Sequence, residues 1–532
     1  MSAIARVLLE SGFSVSGSDL NPNPLTEALV ASGARFYQGH EARNVYGARA
    51  IVRSSAVPPD NPELKEAQLH GVPVFKRSEF LPLLLKDRVN VSVAGTHGKT
   101  TTTGMIAHMM NRAGLAPGFI VGGVVPSLGT NARAGDGPIF VIEADEYDDM
   151  FLGTCPRVGV LTNIEHDHPD IYPDQGAVVA AFAQFVMLLP EDGLLVACAD
   201  DKGARALGNV WRAAGREVLF YGIRHPSADW RAAGVGYNED GGVDFVVQRH
   251  GRTLGSVRLL LPGEHNVLNA LAALVVTDYF GLIFEEAEAA LMDFGGVDRR
   301  FAVRGEVGGI TVIDDYAHHP TAVRATLATA RARYPGRTIW AVWQPHTYSR
   351  TRQFLEDFAA SFEGAHCVVV TDIYAAREAV DPGFTSAEVV KLMQAHPWVK
   401  HVPGPLSNVV DEVTANLSGD EVVLMLGAGS ITEVSQALLE KLEGRHSAAV
   451  GEAAIEENPF LATAYEYDEW DDPWADAFDE EMLLIHEYGD VPKEAIKEIR
   501  RLSREEKVPI TRELVERVLN SLGGESNGGG PA

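Results

Sequence analysis

The chain has 532 residues, with 45 Lys and Arg against 73 Asp and Glu, for a formal net charge of −28. An acidic body of this kind excludes general nucleic-acid binding, which needs basic surface to meet phosphates. No apolar run approaches the ~18 residues of a membrane span, no signal peptide is visible, and three widely spaced cysteines (Cys155, Cys198, Cys367) exclude a disulfide scaffold and fit a reducing cytoplasm. The length predicts several domains.

In chain order, residues 2–11 predict a helix with Ile4, Val7 and Leu8 on one face. Residues 13–18 predict a strand with Asp19 at its end. In a dinucleotide-type fold this is the second half of the opening unit, whose acid follows a Gly-rich turn by about 20 residues. The strand and turn that should come first are absent. The chain is therefore expected to begin inside the first helix, on a truncated N-terminus or a late start. Residues 50–57 predict a strand running into a loop. Ser54 and Ser55 fall at its carboxyl end, where open α/β sheets bind ligands. A domain boundary is expected near residue 88.

The next run supplies the strongest local signal. A β-branched strand leads into Gly95-Thr-His-Gly-Lys-Thr-Thr101, and a helix is predicted over 101–113. In that order, backbone N–H groups of a tight loop and the helix N-terminus converge on phosphate oxygens. Lys99 would reach the β- and γ-phosphates, and the Thr100 hydroxyl would bind Mg²⁺. The spacing departs from the common phosphate-loop pattern, because Val93 holds the first glycine position.

The central region is expected to alternate strands and helices as parallel sheets do. Residues 139–142 form a strand-like run ending in Glu143, a carboxylate placed to hold Mg²⁺ beside a phosphate loop. Residues 158–161 form another, ending in Thr162-Asn-Ile-Glu-His-Asp-His168. His166, Asp167 and His168 invite zinc, but no His-x₃-His helix or cysteine set accompanies them. A Mg²⁺ shell or phosphate contact suits them better. Asn266 and Asn269 fall on one face of a helix that begins near 264. The alternative for them is an N-cap and a solvent-facing amide. Residues 294–301 resemble a hinge. Beyond it, strands near 311, 338, 367 and 421 each run into a polar or Gly-rich loop, the edge where open α/β sheets bind ligands.

Residues 447–532 change character, with 21 acidic and 8 basic residues. Between 452 and 490 there are 14 acidic residues and no Lys or Arg, with aromatics such as Trp470 and Trp474 interleaved. This reads as a disordered or partner-binding tail, for a protein partner of unknown identity. Helical spacing returns over 493–522.

Taken together, the chain resembles the Mur ligases, ATP-dependent amide-forming enzymes of peptidoglycan precursor synthesis. The resemblance spans about residues 1–446. It rests on the phosphate loop, Glu143-Ala-Asp-Glu, Thr162-Asn-Ile-Glu-His-Asp-His, His265-Asn-Val-Leu-Asn-Ala, Arg299-Arg-Phe, Asp314-Asp-Tyr-Ala-His-His-Pro and Gln344-Pro-His-Thr-Tyr-Ser-Arg-Thr, all in order. The family opens with a Gly-rich loop ending in a pattern that Met1-Ser-Ala-Ile-Ala5 matches, which agrees with a truncated start.

The resemblance implies a three-domain α/β architecture. A Rossmann-like UDP-sugar-binding domain would cover 1–88, a central ATPase domain with a mostly parallel sheet 89–300, and a C-terminal Rossmann-like amino-acid-binding domain 301–446. The tail would be 447–532. It also implies ATP and Mg²⁺, UDP-N-acetylmuramate and L-alanine as substrates, and an acyl-phosphate intermediate. By matching position, Gly95, Thr96, His97, Gly98, Lys99, Thr100, Thr101, Asn269, Arg300 and Asp315 would serve ATP. Thr100, Glu143 and His168 would serve metal. Tyr316, His318, His346 and Arg350 would form the amino-acid side, with Arg350 on the alanine carboxylate. Ser54, Ser55, Asn131 and Arg133 would face UDP-muramate. Lys99, Glu143, His168, His318 and Arg350 would carry the catalysis.

Several relatives that add later amino acids carry a lysine on the helix after the Asp-His motif. Residues 180–185 offer none, which fits the alanine-adding branch and a related branch that attaches a recycled tripeptide. The remaining alternative is a non-catalytic nucleotide-binding scaffold.

Overall fold

The computed structural model describes residues 1–457, with side chains through His446, and beyond them Leu502 and Arg517. Most of the acidic run of the tail, and all but those two residues of the helix expected over 493–522, lie outside the described residues.

The first domain carries four short strands: β1 (Ser16–Asp19), β2 (Arg35–Gln38), β3 (Ile51–Arg53) and β4 (Val74–Lys76). They form two separate parallel pairs, β1–β2 and β3–β4. The Rossmann-like sheet expected here is thus two pairs, with no strand joining them among the described residues. β1 starts later than expected, because Gly12 turns the chain at φ +86° and leaves Phe13 62% exposed.

The opening helix, Ser2–Glu10, leans on the middle domain. Its Ile4 and Val7 share one apolar cluster with Leu81, Leu85, Ala132, Ala134, Phe140 and Ile142. The Ala134 N–H donates to the Glu10 carboxylate at 2.7 Å. The strands of β1 are polar and largely exposed, so the apolar face of the helix finds its partner elsewhere.

The middle domain is built on a ten-stranded sheet. Its strands are β5 (Val89–Ala94), β6 (Gly118–Val125), β7 (Thr130–Arg133), β8 (Ile139–Glu143), β9 (Val158–Leu161), β10 (Leu194–Cys198), β11 (Glu217–Gly222), β12 (Trp230–Tyr237), β13 (Val243–Arg249) and β14 (Arg252–Leu259). They run in the order β14-β13-β12-β11-β10-β9-β5-β8-β6-β7. β5 lies between β8 and β9, parallel to both. That central place explains its nearly complete burial, since helices cover both faces of a parallel sheet.

The expectation of simple alternation fails at 230–259, where β12, β13 and β14 form an antiparallel meander. Its second turn is His250-Gly251, with φ of +48° and +78°. Two successive left-handed residues are what a tight hairpin requires.

The C-terminal domain has β15 (Ala302–Val307), β16 (Ile310–Asp315), β17 (Thr338–Trp343), β18 (Cys367–Val370), β19 (Val399–His401) and β20 (Glu421–Leu426). The order is β15-β16-β20-β17-β18-β19. β20 inserts between β16 and β17, parallel to both. The strand order therefore reverses at that point, and ligands of open α/β sheets bind at the carboxyl ends beside such a reversal. Two apolar clusters cover the two faces of this sheet. Among the described residues, no helix is long and apolar enough to cross a membrane.

Candidate active site

The phosphate loop leaves the end of β5 and enters the helix Lys99–Arg112. Gly95 sits at φ +134°, and a Cβ there would lie 2.0 Å from Thr162 Oγ1. Gly98 sits at φ +84°, with Asn269 Oδ1 2.6 Å from where its Cβ would be. Both positions demand glycine. The loop after β9 holds the turn from beneath. Asn163 accepts the Thr96 N–H through its carbonyl at 3.0 Å and the His97 N–H through its side chain at 2.8 Å. Thr162 Oγ1 donates to the His97 carbonyl at 2.6 Å. This bracing leaves the N–H groups of the first helical turn free to face an anion.

Lys99 Nζ donates to the Gly95 and Thr96 carbonyls at 2.7 and 3.2 Å and to Glu146 Oε2 at 2.7 Å. Burial opposes its charge, but Glu146, Asp145 and Glu143 outweigh that and hold the ammonium above its ordinary range. Burial raises the Glu146 carboxyl to about 7 against the pull of Lys99. The lysine is thus charged and already positioned over the loop.

Thr100 Oγ1 donates to Glu143 Oε1 at 2.9 Å, and the Gly122 N–H donates to Glu143 Oε2 at 2.6 Å. Burial pushes the Glu143 carboxyl up, with Lys99 and Arg300 pulling it back. A hydroxyl and a buried carboxylate oxygen side by side are hard donors of the kind Mg²⁺ takes. His168, expected to join them, instead lies with Nε2 3.7 Å from Glu146 Oε1. Asp145, Glu146 and His168 offer ligand atoms within 4.8 Å of one another. His166 is no part of this group, since Nε2 pairs with the Tyr172 carbonyl at 2.8 Å. The consecutive His166, Asp167 and His168 therefore diverge, and no zinc set forms from them.

Asn266 and Asn269 are both buried. Asn269 Nδ2 donates to Asn266 Oδ1 at 3.1 Å, and Thr102 Oγ1 donates to Asn269 Oδ1 at 3.1 Å. The alternative of an N-cap and a solvent-facing amide is overturned: Gly263 occupies the cap position, and the amides tie two helices together.

The C-terminal domain closes the other side. Arg300 NH2 donates to Thr100 Oγ1 at 3.1 Å, and its guanidinium lies 4.9 Å from the Tyr316 ring centre. Asp315 accepts the Phe301 and Ala317 N–H groups, both at 2.8 Å, and burial raises its carboxyl to about 6. It thereby ties Phe301 at the hinge to the loop that follows β16. Arg350 Nε donates to Asp167 Oδ1 at 2.7 Å, NH1 to the His346 carbonyl at 3.0 Å, and NH2 approaches His168 Nδ1 at 3.3 Å. His318 and His346 have ring centres 5.8 Å apart. Burial and Arg350 keep both neutral, His346 at about 4 and His318 well below its usual value.

The sugar-side candidates do not converge in the same way. Ser54 and Ser55 follow β3; a cavity of about 380 Å³ is lined by Arg53, Pro59, Leu64, Gln68, Val72 and Val74, with neither serine among them. Asn131 and Arg133 lie on edge strand β7, and Asn131 is buried. Arg133 donates to Asn111 Oδ1 and the Leu128 carbonyl, both at 3.2 Å, with its guanidinium over Phe119. Two of its donors are thus held within the fold, on a half-buried side chain.

Sequence reasoning singled out Glu143, Asp167 and His168 but gave no role to Glu146 and Glu165 in the same two motifs. The signal was present as acidic residues at strand ends beside the phosphate loop. Which of them turns inward is set by the loop conformation.

Three family models match the chain: "Mur ligase family, catalytic domain" over residues 1–88, "Mur ligase middle domain" over 93–277 and "Mur ligase, glutamate ligase domain" over 299–429. The UDP-N-acetylmuramate–L-alanine ligase of Salinibacter ruber is 43% identical over 454 residues, covering 85% of this chain and 94% of that one. The enzyme of the same name from Renibacterium salmoninarum is 44% identical over 446 residues, covering 83% and 93%. Among solved structures, UDP-N-acetylmuramate–alanine ligase from Thermotoga maritima aligns with a TM-score of 0.71 at 28% identity, covering 84% of this chain and 97% of that one. A murein peptide ligase from Psychrobacter arcticus shares the fold, with a TM-score of 0.63 at 24% identity, covering 83% and 96%.

Proposed function

The chain belongs to the Mur ligase family, and on that premise we propose that it joins L-alanine to UDP-N-acetylmuramate at the expense of ATP. The observation that carries this reading is the meeting of Lys99, Thr100 and Glu143 with Arg300 over one phosphate loop.

A carboxylate is a poor electrophile, so it must first be activated. An oxygen of the muramyl lactyl carboxylate attacks the γ-phosphorus of ATP, the bond to the β-phosphate oxygen breaks, and ADP leaves. The α-amine of alanine then attacks the acyl carbon of the acyl phosphate. The tetrahedral intermediate collapses with loss of inorganic phosphate and one amine proton. Catalysis of this type is mostly positioning and charge neutralisation. The loop N–H groups, Lys99 and Arg300 hold the phosphates as negative charge shifts. Thr100 and Glu143 would hold Mg²⁺, with His168 and Glu146 nearby, and the ion would supply charge neutralisation at the phosphates. Arg350 receives the alanine carboxylate. Neutral His318 and His346 add no positive charge near an amine that must lose its proton to attack. The opposing C-terminal domain limits water, which would otherwise hydrolyse the acyl phosphate. A reaction that consumes ATP and a UDP-sugar belongs in the cytoplasm.

The test is phosphate release from ATP with UDP-N-acetylmuramate, Mg²⁺ and L-alanine. Dependence on both the sugar nucleotide and alanine supports the proposal. Preference for a murein tripeptide over alanine, or release that ignores the sugar, would sink it.

A further inference from the structure

Glu165 and His319 have no part in the reaction above, yet they converge with His97 of the phosphate loop. His97 Nε2 lies 2.8 Å from Glu165 Oε2, and His319 Nδ1 lies 3.9 Å from the same oxygen. One ligand atom from each of the three residues falls within 4.8 Å of the others, and the two rings are 5.0 Å apart.

The outer contacts orient these groups. His319 Nε2 faces the His166 carbonyl at 3.2 Å. A carbonyl only accepts, so Nε2 carries the proton and Nδ1 keeps its lone pair, which in the ion-free chain accepts the Thr321 N–H at 3.3 Å and would exchange that contact for the ion. Glu165 Oε1 accepts the Thr321 hydroxyl at 2.5 Å, which leaves Oε2 for the centre. Carbonyl and hydroxyl partners of this kind are what fix metal-binding imidazoles and carboxylates. Tetrahedral zinc with nitrogen and oxygen ligands at about 2.0–2.1 Å needs donor atoms roughly 3.3 Å apart. The 2.8 and 3.9 Å separations straddle that value.

We propose that His97, Glu165 and His319 form a site for a divalent transition ion of the Zn²⁺ kind, separate from the Thr100–Glu143 pair, that ties the phosphate loop to the C-terminal domain. Two imidazoles and one carboxylate favour such an ion over Mg²⁺, which takes oxygen. Binding through His97 Nε2 shifts that ring's proton to Nδ1, so the imidazole stays neutral and gives Nε2's lone pair to the ion. Because the ligands come from both domains, the bound ion resists their separation and slows any turnover that needs it.

The test uses the full chain, stripped with a chelator and titrated with Co²⁺ as a coloured stand-in for Zn²⁺. We expect a visible ligand-field band that saturates at one equivalent and is displaced by Zn²⁺ but not by excess Mg²⁺. Glu165→Gln and His319→Gln should each abolish the saturating band, and His168→Gln should leave it. Circular dichroism checks that each variant folds. Should His319→Gln not fold, Thr321→Val keeps the ligands and should weaken Co²⁺ binding roughly tenfold, the size expected for a lost outer-shell partner. A band that survives both ligand variants, that vanishes in His168→Gln, or that carries thiolate charge-transfer absorption would overturn the proposal.

Discussion

Lys99 and Glu146 meet at 2.7 Å with side chains only 12% and 3% exposed, so the phosphate-loop lysine rests on a buried carboxylate. Breaking a buried pair from one side costs about 3–5 kcal/mol, because the remaining charge has no partner. Lys99→Met should abolish ATP-dependent phosphate release and also make stability depend more steeply on pH. The Glu146 carboxyl is raised from 4.5 to about 7 in the folded chain. The stability it contributes is therefore fully present below 4.5 and lost as pH rises through about 7. Without Lys99 the carboxyl moves higher still. The melting-temperature deficit of Lys99→Met should be small at pH 6 and large at pH 8.5, and a deficit that ignores pH would refute the argument.

Gly98 combines a left-handed backbone at φ +84° with Asn269 Oδ1 2.6 Å from its missing Cβ. Gly98→Ala should lose about 1–2 kcal/mol from the backbone alone, and more from the crowding. The double variant with Asn269→Ser removes the clash and not the backbone penalty. Urea unfolding should therefore recover only in part, and complete recovery would mean that conformation at 98 costs nothing.

Arg350 spreads its guanidinium between Asp167 Oδ1 at 2.7 Å and the His346 carbonyl at 3.0 Å. A lysine keeps the charge but cannot serve several partners in one plane. Arg350→Lys should raise the KM for L-alanine by roughly 10–100-fold, about 1.4–2.7 kcal/mol of binding. The KM for ATP should move less than threefold. A change confined to ATP would remove Arg350 from the alanine side.

The motifs of the site all precede residue 446, and the last family match ends at 429. Deleting 447–532 should leave turnover nearly intact, measured as phosphate release beside the full-length chain. A loss above tenfold would show that the acidic segment takes part.

Much of the site was legible along the chain because its chemistry is local. The strand, the two glycines, Lys99 and Thr100 are contiguous, and backbone conformation alone demands glycine at 95 and 98. Separate motifs in fixed order identified the family and the α/β class, and strand ends at Leu161, Trp343 and Leu426 fell where buried apolar runs stop. What the sequence could not determine were relations between distant segments. The partner of Lys99, the pairing of Arg350 with Asp167 and the meeting of His319 with His97 and Glu165 depend on how β16 and β17 present their loops to those of β5, β8 and β9. The antiparallel meander at 230–259 and the opening helix packed on β7 and β8 were likewise decided in three dimensions. Periodicity says which face of an element is apolar. Only packing chooses what covers that face, and which buried charge finds which counter-charge.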